Sequence, residues 1–299
     1  MTPAIEPRSA RPARSWMFVP GNRERFLEKA ASSDADCVLL DLEDGVLPEH
    51  KAEARAMVAE ALRKPFQPQR FVRVNAVATS WFEEDLAAVV PAAPDGICLP
   101  KVEEPGDVGR VAALLERLEA AHGLEPGSIG ILAAIESPRA VLGAAEIARS
   151  HRRLVGLMLG AEDLALEIGL GTERVGEAAQ LLFARSFVVF AAAAARVLSV
   201  DGVFPNLDDP EGMERDALTA RRLGFSAKST FNPRQVEVIN RVFSPQPDEL
   251  AYARRVADAF EAAQARGDAS VALGGQLVDR PIVLRALRVL ELAGEPRGQ

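Results

Sequence analysis

Two kinds of segment alternate along the chain. Eight short apolar runs, rich in β-branched residues and closed by polar, Gly or Pro residues, recur in order. They are WMFVPG from Trp16, CVLLDLED from Cys37, FVRVN from Phe71, GICLPK from Gly96, GILAAIE from Gly130, LVGLMLGAED from Leu154, VDGVFPN from Val200 and FSAKST from Phe225. Apolar runs of about four to eight residues with such punctuation read as strands. Ala-, Leu- and Glu-rich segments with helical spacing lie between them. Ser80 with Glu83 predicts a capping box at one helix start. Ser137 before Pro138, and Asp209 before Pro210, set a capping side chain ahead of a proline in the first helical turn. Eight strands alternating with helices predict one (β/α)8 barrel over residues 15–243, with a doubly wound open sheet as the alternative.

Beyond the eighth run the pattern changes. SPQPDE (Ser244–Glu249) breaks the alternation and opens a helical stretch reaching Arg266. Gly267–Pro281 reads as loop or hairpin, and an amphipathic helix follows from Ile282 to Leu292. Residues 244–299 are therefore expected to form a C-terminal helical arm, serving as a lid, an oligomerisation element or both. Residues 1–14 are rich in Pro, Arg and Ala and lack the apolar core of a signal peptide, so they read as a flexible lead-in. The densest apolar stretch, Leu181–Leu198, is interrupted by Arg185 and Arg196 and reads as a buried helix, not a membrane span. The cytoplasm is the expected location.

Composition narrows the function classes. With 48% hydrophobic and 26% charged residues, the 299-residue chain is globular. Lys plus Arg number 35 against 43 Asp plus Glu, a net charge of −8. That disfavours nucleic acid and other bulk polyanions but leaves room for a local basic pocket around one phosphorylated ligand. The two cysteines, Cys37 and Cys98, both lie in apolar runs, which suits a reducing compartment. Three histidines (His50, His122, His151) leave little scope for His-based metal or triad chemistry, so any enzymatic reading leans on Asp, Glu, Arg and Lys.

Those residue types gather where a barrel places its chemistry, at the carboxyl ends of the strands. Successive runs close on Glu43 and Asp44, Arg73 and Asn75, Lys101, Glu136, Glu162 and Asp163, Asn206 and Asp208, and Lys228 and Ser229. Glu136 and Asp163, on neighbouring strands, offer two hard oxygen ligands. Mg2+ takes about one or two carboxylates and completes its shell with water and substrate oxygens. Zn2+ is disfavoured without His or Cys nearby. Arg73 suits a developing oxyanion or a substrate carboxylate. The bland alternative for Glu136 and Asp163 is a salt-bridge network with Arg73 and Lys101. Gly169–Gly176 has the wrong spacing for a dinucleotide loop, and no P-loop or nucleophile elbow occurs. Trp81 and Phe82 read as core anchors. Arg23, Arg25 and Lys29 suit either phosphates or a solvated helix face.

Taken together, these stretches resemble the citrate lyase β-subunit-like (CitE-like) branch of the HpcH/HpaI aldolase family. The resemblance is carried by RSWMFVPGNRERFLEKA, DADCVLLDLEDGVLPEHKAEAR, FVRVNAVATSWFEEDL, ICLPKVE, AAIESPRAV, GLMLGAEDLALEIG and LGFSAKSTFNPRQVEVIN, in order over nearly the whole chain. It implies a (β/α)8 barrel and Mg2+-dependent carbon–carbon bond cleavage or formation on a hydroxyacyl thioester of the citryl, malyl, methylmalyl or citramalyl type, giving an acyl-CoA and a 2-oxo acid. By motif match, Glu136 and Asp163 would hold Mg2+ and Arg73 would bind the thioester oxygen that becomes an enolate. Asp279, in GGQLVDRP, would be the general acid/base, brought into a neighbouring subunit's site by the arm of a trimer or hexamer. Glu43 completes the expected catalytic set, and Arg25 and Lys29 would meet the carrier's phosphates. A malyl-CoA-type thioesterase, a carrier-binding β subunit of a lyase complex and a catalytically silent barrel are the other readings. Phe231-Asn232-Pro233 stands where the family commonly has Ile-His-Pro, and Gln276 where it commonly has lysine.

Overall fold

The eight runs become the eight parallel strands of a closed barrel in a computed structural model that describes residues 13–171 and 178–295. In order they are β1 (Ser15–Pro20), β2 (Cys37–Asp41), β3 (Gln69–Arg73), β4 (Gly96–Leu99), β5 (Gly130–Ile135), β6 (Leu154–Leu159), β7 (Leu198–Asp201) and β8 (Ala227–Thr230), with β8 pairing back onto β1. Residues 1–12 of the expected lead-in, and most of the glycine-flanked stretch 169–176, lie outside the described residues.

Both faces of each strand are covered, which is why the runs are almost continuously apolar. Inward-pointing Trp16, Cys37, Leu39, Phe71, Cys98, Leu132, Met158, Val200 and Ala227 fill the barrel. Trp16 meets Phe71 edge-on at 4.8 Å and donates its indole N–H to Ala13 O at 2.9 Å. The glycine at 96 is forced, because a Cβ there would enter the Phe71 ring. Cys37 and Cys98 are both free and buried in this interior, where burial pushes both thiols up and disfavours the reactive thiolate.

Among the described residues, nine α-helices follow the strands in chain order: α1 (Glu24–Ala30), α2 (Lys51–Leu62), α3 (Phe82–Val89), α4 (Pro105–Ala121), α5 (Pro138–Ala148), α6 (Ala161–Glu167), α7 (Leu182–Ala195), α8 (Pro210–Leu223) and α9 (Pro233–Phe243). Ser137 caps α5 by accepting from Ala140 N at 3.0 Å, and Asp209 caps α8 by accepting from Gly212 N at 2.7 Å. The capping box expected at Ser80 does not form. The turn before α3 has already put Trp81 into helical φ and ψ, so Trp81 holds the cap position and has no side-chain cap bond. Phe82 is a core anchor as expected, whereas Trp81 is half-buried. α7 also departs from expectation. Val188, Val189, Ala191 and Ala192 are buried, but Leu182, Phe183 and Phe190 face outward. No described helix is long and apolar enough to cross a membrane.

Two buried charge clusters clamp strands to helices. Lys228 on β8 reaches Asp201 at 2.7 Å and Asp216 at 2.5 Å, and Arg185 on α7 pairs with the same two carboxylates. Lys228 therefore belongs to the barrel wall and not to the rim, where its position at the end of the eighth run had suggested it. Ser229, beside it, donates to Asp201 O at 2.9 Å and is equally buried. Away from the strand ends, Glu119 on α4 accepts from Arg153 at 2.6 and 2.8 Å and from the N–H groups of Gly127 and Ile129.

Contacts divide the chain after Asn240. The second unit holds α10 (Pro247–Gln264), an antiparallel hairpin of β9 (Val271–Leu273) and β10 (Gln276–Val278), and α11 (Arg280–Leu292). Its own core joins Val256, Phe260, Val278, Val283 and Leu290.

Burial by itself would raise the Glu119 carboxyl, but the Arg153 bonds and the two N–H donors outweigh it and pull it to about 2. A carboxylate held below its ordinary value stabilises the fold above that value, and the contribution is lost as pH falls towards 2. Glu119→Gln should cost about 3–5 kcal/mol at neutral pH by leaving Arg153 buried and unpaired. Urea melts from pH 7 to 3 should show the wild type losing stability more steeply on acidification than the variant.

Candidate active site

One carboxylate organises the barrel mouth. Asp41, the last residue of β2, is buried and accepts from Arg73 Nε and Nη2, both at 2.7 Å, as well as from the N–H groups of Glu43 at 2.9 Å and Gly45 at 3.0 Å. The chain after β2 thus folds around Asp41, and any side chain at 45 would strike its carboxylate. Arg73, the last residue of β3, is fixed on a second side by the Phe18 ring, 4.7 Å from its guanidinium carbon. Burial works against its charge. The Asp41 charge and hydrogen bonds, with Glu43 behind them, prevail and hold the guanidinium above its ordinary value.

Glu43 follows from this turn. Its carboxylate is buried, 3.1 Å from Arg73 Nη1 at Oε2, and its Oε1 accepts from the Lys101 ammonium. The Arg73 approach is an ion pair without hydrogen-bond geometry, so Oε2 keeps an unused lone pair. Burial raises the Glu43 carboxyl despite the two cations. The loop is held from beneath by the buried Lys51, whose ammonium donates to Leu42 O and Glu43 O, both at 2.7 Å, beside the Trp81 ring. Asn75 donates to Leu42 O at 3.0 Å and to Asp85 at 2.7 Å, and Arg55 holds Asp85 in turn. Asn75 is therefore a brace, although its position at a strand end made it look like a rim group.

Across the mouth, Glu136 immediately follows β5 and is 7% exposed. Its Oε2 accepts the Lys101 N–H at 2.8 Å. Burial first, then the Glu43 charge, pushes its carboxyl up to about 7, against the pull of that N–H and of Arg73. Asp163, in the first turn of α6 just past β6, is half-buried, and its charge also acts on Glu136. Gly160 leaves the space that the Glu136 side chain occupies; a Cβ there would overlap it. Among the described residues neither Glu136 nor Asp163 is paired to a cation. The salt-bridge alternative fails because Arg73 is spent on Asp41 and Glu43, and Lys101 on Glu43 and Asp44.

Arg25 lines an open cavity of about 540 Å3 with Arg23, Asn22, Phe26 and Met57, and Glu24 and Glu53 add negative charge to its wall. Lys29, one turn further along α1, is exposed and not part of that lining. Phe231, Asn232 and Arg234 line a second cavity of about 410 Å3 with Leu207 and Asp208. Asp279 lies in the second unit, where it caps α11 towards Ile282 N at 3.4 Å. The groups that sequence reasoning passed over are Asp41, Lys51 and the main chain of Lys101. Only Gly45, which the Asp41 turn requires, left a mark in the sequence.

A model of the HpcH/HpaI aldolase/citrate lyase family matches residues 14–233. The chain belongs to that family. The β subunit of citrate lyase from Escherichia coli K12 is 40% identical over 97% of this chain and 96% of its own. A (3S)-malyl-CoA thioesterase from Cereibacter sphaeroides is 36% identical over 95% of each. Among solved structures, the CitE protein of Mycobacterium tuberculosis in complex with magnesium, acetoacetate and coenzyme A superposes with a TM-score of 0.79 at 32% identity, covering 96% of this chain and 100% of that one. The family match takes in every rim residue from Phe18 to Asp163 and ends before Asp279.

Gly160→Ala should lower stability by about 1–3 kcal/mol through overpacking against Glu136. Removing the obstructing side chain with Glu136→Ala should erase most of that cost, so a double-mutant cycle by urea denaturation should report strong coupling between the two positions.

Proposed function

We propose that this family member is a Mg2+-dependent carbon–carbon lyase that cleaves or forms a β-hydroxyacyl-CoA thioester of the malyl, methylmalyl, citramalyl or citryl type, with an acyl-CoA and a 2-oxo acid on the other side. The observation that carries the reading is the separation of charge at the barrel mouth. One guanidinium is fixed and partly dehydrated on one side, and on the other two carboxylates have no basic partner among the described residues.

The donor set fits a hard divalent cation. Glu136 and Asp163 are oxygen ligands, Gly160 leaves the Glu136 carboxylate its space, and no cage of three or more His, Cys, Asp or Glu exists among the described residues. Two carboxylates with water and substrate oxygens suit Mg2+. When bound, the ion would act as Lewis acid and template for the oxo-acid carboxylate and carbonyl.

The protein's own groups account for the rest. Arg73, immobilised by Asp41 and Phe18, presents a pre-oriented charge to the thioester oxygen as it gains electron density. In the cleavage direction the Asp279 carboxylate takes the substrate hydroxyl proton, and the carbon–carbon bond breaks to leave the oxo-acid carbonyl. The electron pair moves to the thioester enolate held by Arg73, and return of the same proton at carbon releases the acyl-CoA. Asp279 is assigned both proton transfers, delivered from the second unit of a neighbouring copy in a trimer or hexamer. Glu43 balances Arg73 and Lys101, and Arg25 with Lys29 supplies the basic patch for CoA phosphates. A thioesterase outcome, with water as acceptor, is supported by the 36% identical malyl-CoA thioesterase, and a carrier-binding role by the 40% identical citrate lyase subunit.

Incubation with Mg2+ and each of the four thioesters, followed by mass detection of both products, should show turnover of at least one. Arg73→Lys should lose about 10²–10³ in kcat, because a point charge cannot reproduce the fork held by Asp41. Free thiol without oxo acid would assign the thioesterase outcome. No turnover of any thioester, with wild type and Glu136→Ala alike, would end the lyase reading. If Asp279 works across copies, mixed oligomers of Asp279→Ala and Arg73→Ala should regain part of the activity that each lacks.

A further inference from the structure

Four non-glycine residues have positive φ among the described residues: Ala93, Lys101, Ala178 and Arg196. Ala93 and Arg196 close helical turns, where a left-handed residue is the usual terminator, and Ala178 opens one. Lys101, at φ 51°, does neither; it stands two residues past β4 at the barrel mouth. An L-residue held there gives up roughly a tenfold preference or more, so something must hold it.

Both ends of Lys101 are occupied. Its N–H points at Glu136 Oε2, 2.8 Å away. Its ammonium sits on Glu43 Oε1 and lies 3.4 Å from Asp44. Glu43 is a rigid anchor, since it is buried beside Arg73 and its backbone carbonyl is tied to Lys51. Holding the ammonium on that anchor restricts where the Lys101 backbone can sit, and the backbone in turn aims the N–H.

We propose that Lys101 is a positioning residue, a two-ended clamp whose ammonium on Glu43 holds its own backbone left-handed and thereby fixes the Glu136 carboxylate. The clamp does not depend on the lyase reading; its importance for turnover rests on that reading. Glycine adopts positive φ without cost whereas alanine does not, so the two substitutions separate the backbone from the ammonium. In Lys101→Gly the N–H stays on Glu136 without the charge. In Lys101→Ala the anchor is lost and the backbone relaxes to negative φ.

Hydrogen exchange at the residue 101 amide, followed by NMR on metal-free protein, tests the clamp without metal or substrate. The Gly variant should stay within about threefold of the wild-type rate, and the Ala variant should exchange at least about tenfold faster. An Ala variant as protected as the Gly variant would overturn the proposal. In turnover, kcat should fall in the order wild type, Gly, Ala, with KM moving by less than about threefold. This reverses the usual order of Ala over Gly. A loss expressed in KM, or an Ala variant at or above Gly, would overturn the role in turnover. Failure of the lyase reading would show separately, as absence of turnover by the wild type while the exchange order persists.

Discussion

The barrel mouth depends on the ion pair between Asp41 and Arg73. A guanidinium this deep is tolerated only if its charge is met, and Asp41 meets it with two parallel bonds of 2.7 Å. The same carboxylate accepts two main-chain N–H groups, so the turn that carries Glu43 is built on the pair. Glu43 draws in the Lys101 ammonium, and the Lys101 main chain reaches Glu136. One pairing decision therefore propagates across β2, β3, β4 and β5. Its result is that Arg73 and Lys101, the cations it gathers, are used up before they reach Glu136 and Asp163.

This arrangement departs from the pattern elsewhere in the fold. Around Asp201, Asp216, Arg185 and Lys228, and again at Glu119 and Arg153, each buried carboxylate finds its cation and the charges close locally. Such clusters fix which helix packs on which strand. At the mouth the balance is left open, with Glu136 raised by burial and by its acidic neighbours. Opposed environments at neighbouring titratable groups are the mark of a site built for chemistry rather than for stability.

Much of the fold could be read from periodicity, because a barrel strand covered on both faces leaves a dense apolar run and each of the eight runs overlaps its strand, although β1, β3 and β7 begin one or two residues before theirs. The end of each run also pointed to the right region, and Glu43, Arg73 and Glu136 do converge there. What could not be read was the division of labour. Asn75 and Lys228 close runs just as Arg73 does, yet one braces a loop and the other locks the wall, since a polar side chain after a strand serves a neighbour or the solvent cavity according to which way the next turn runs. Ser80 failed as a cap for a similar reason: the turn before α3 set the backbone of Trp81 first. Phe183 and Phe190 kept their apolar signal but point outward, because composition marks a helix as apolar without saying which face the barrel covers.

The central claim is that the Asp41–Arg73 pair and the Glu136–Asp163 pair are separate charge systems, one for the developing anion and one for the cation. Calorimetric titration of Mg2+ into the metal-free protein tests it directly. One site is expected in the wild type, lost in both Glu136→Gln and Asp163→Asn and retained in Asp41→Asn, where turnover is expected to fail. Undiminished binding in the first two variants, or loss only in Asp41→Asn, would contradict it.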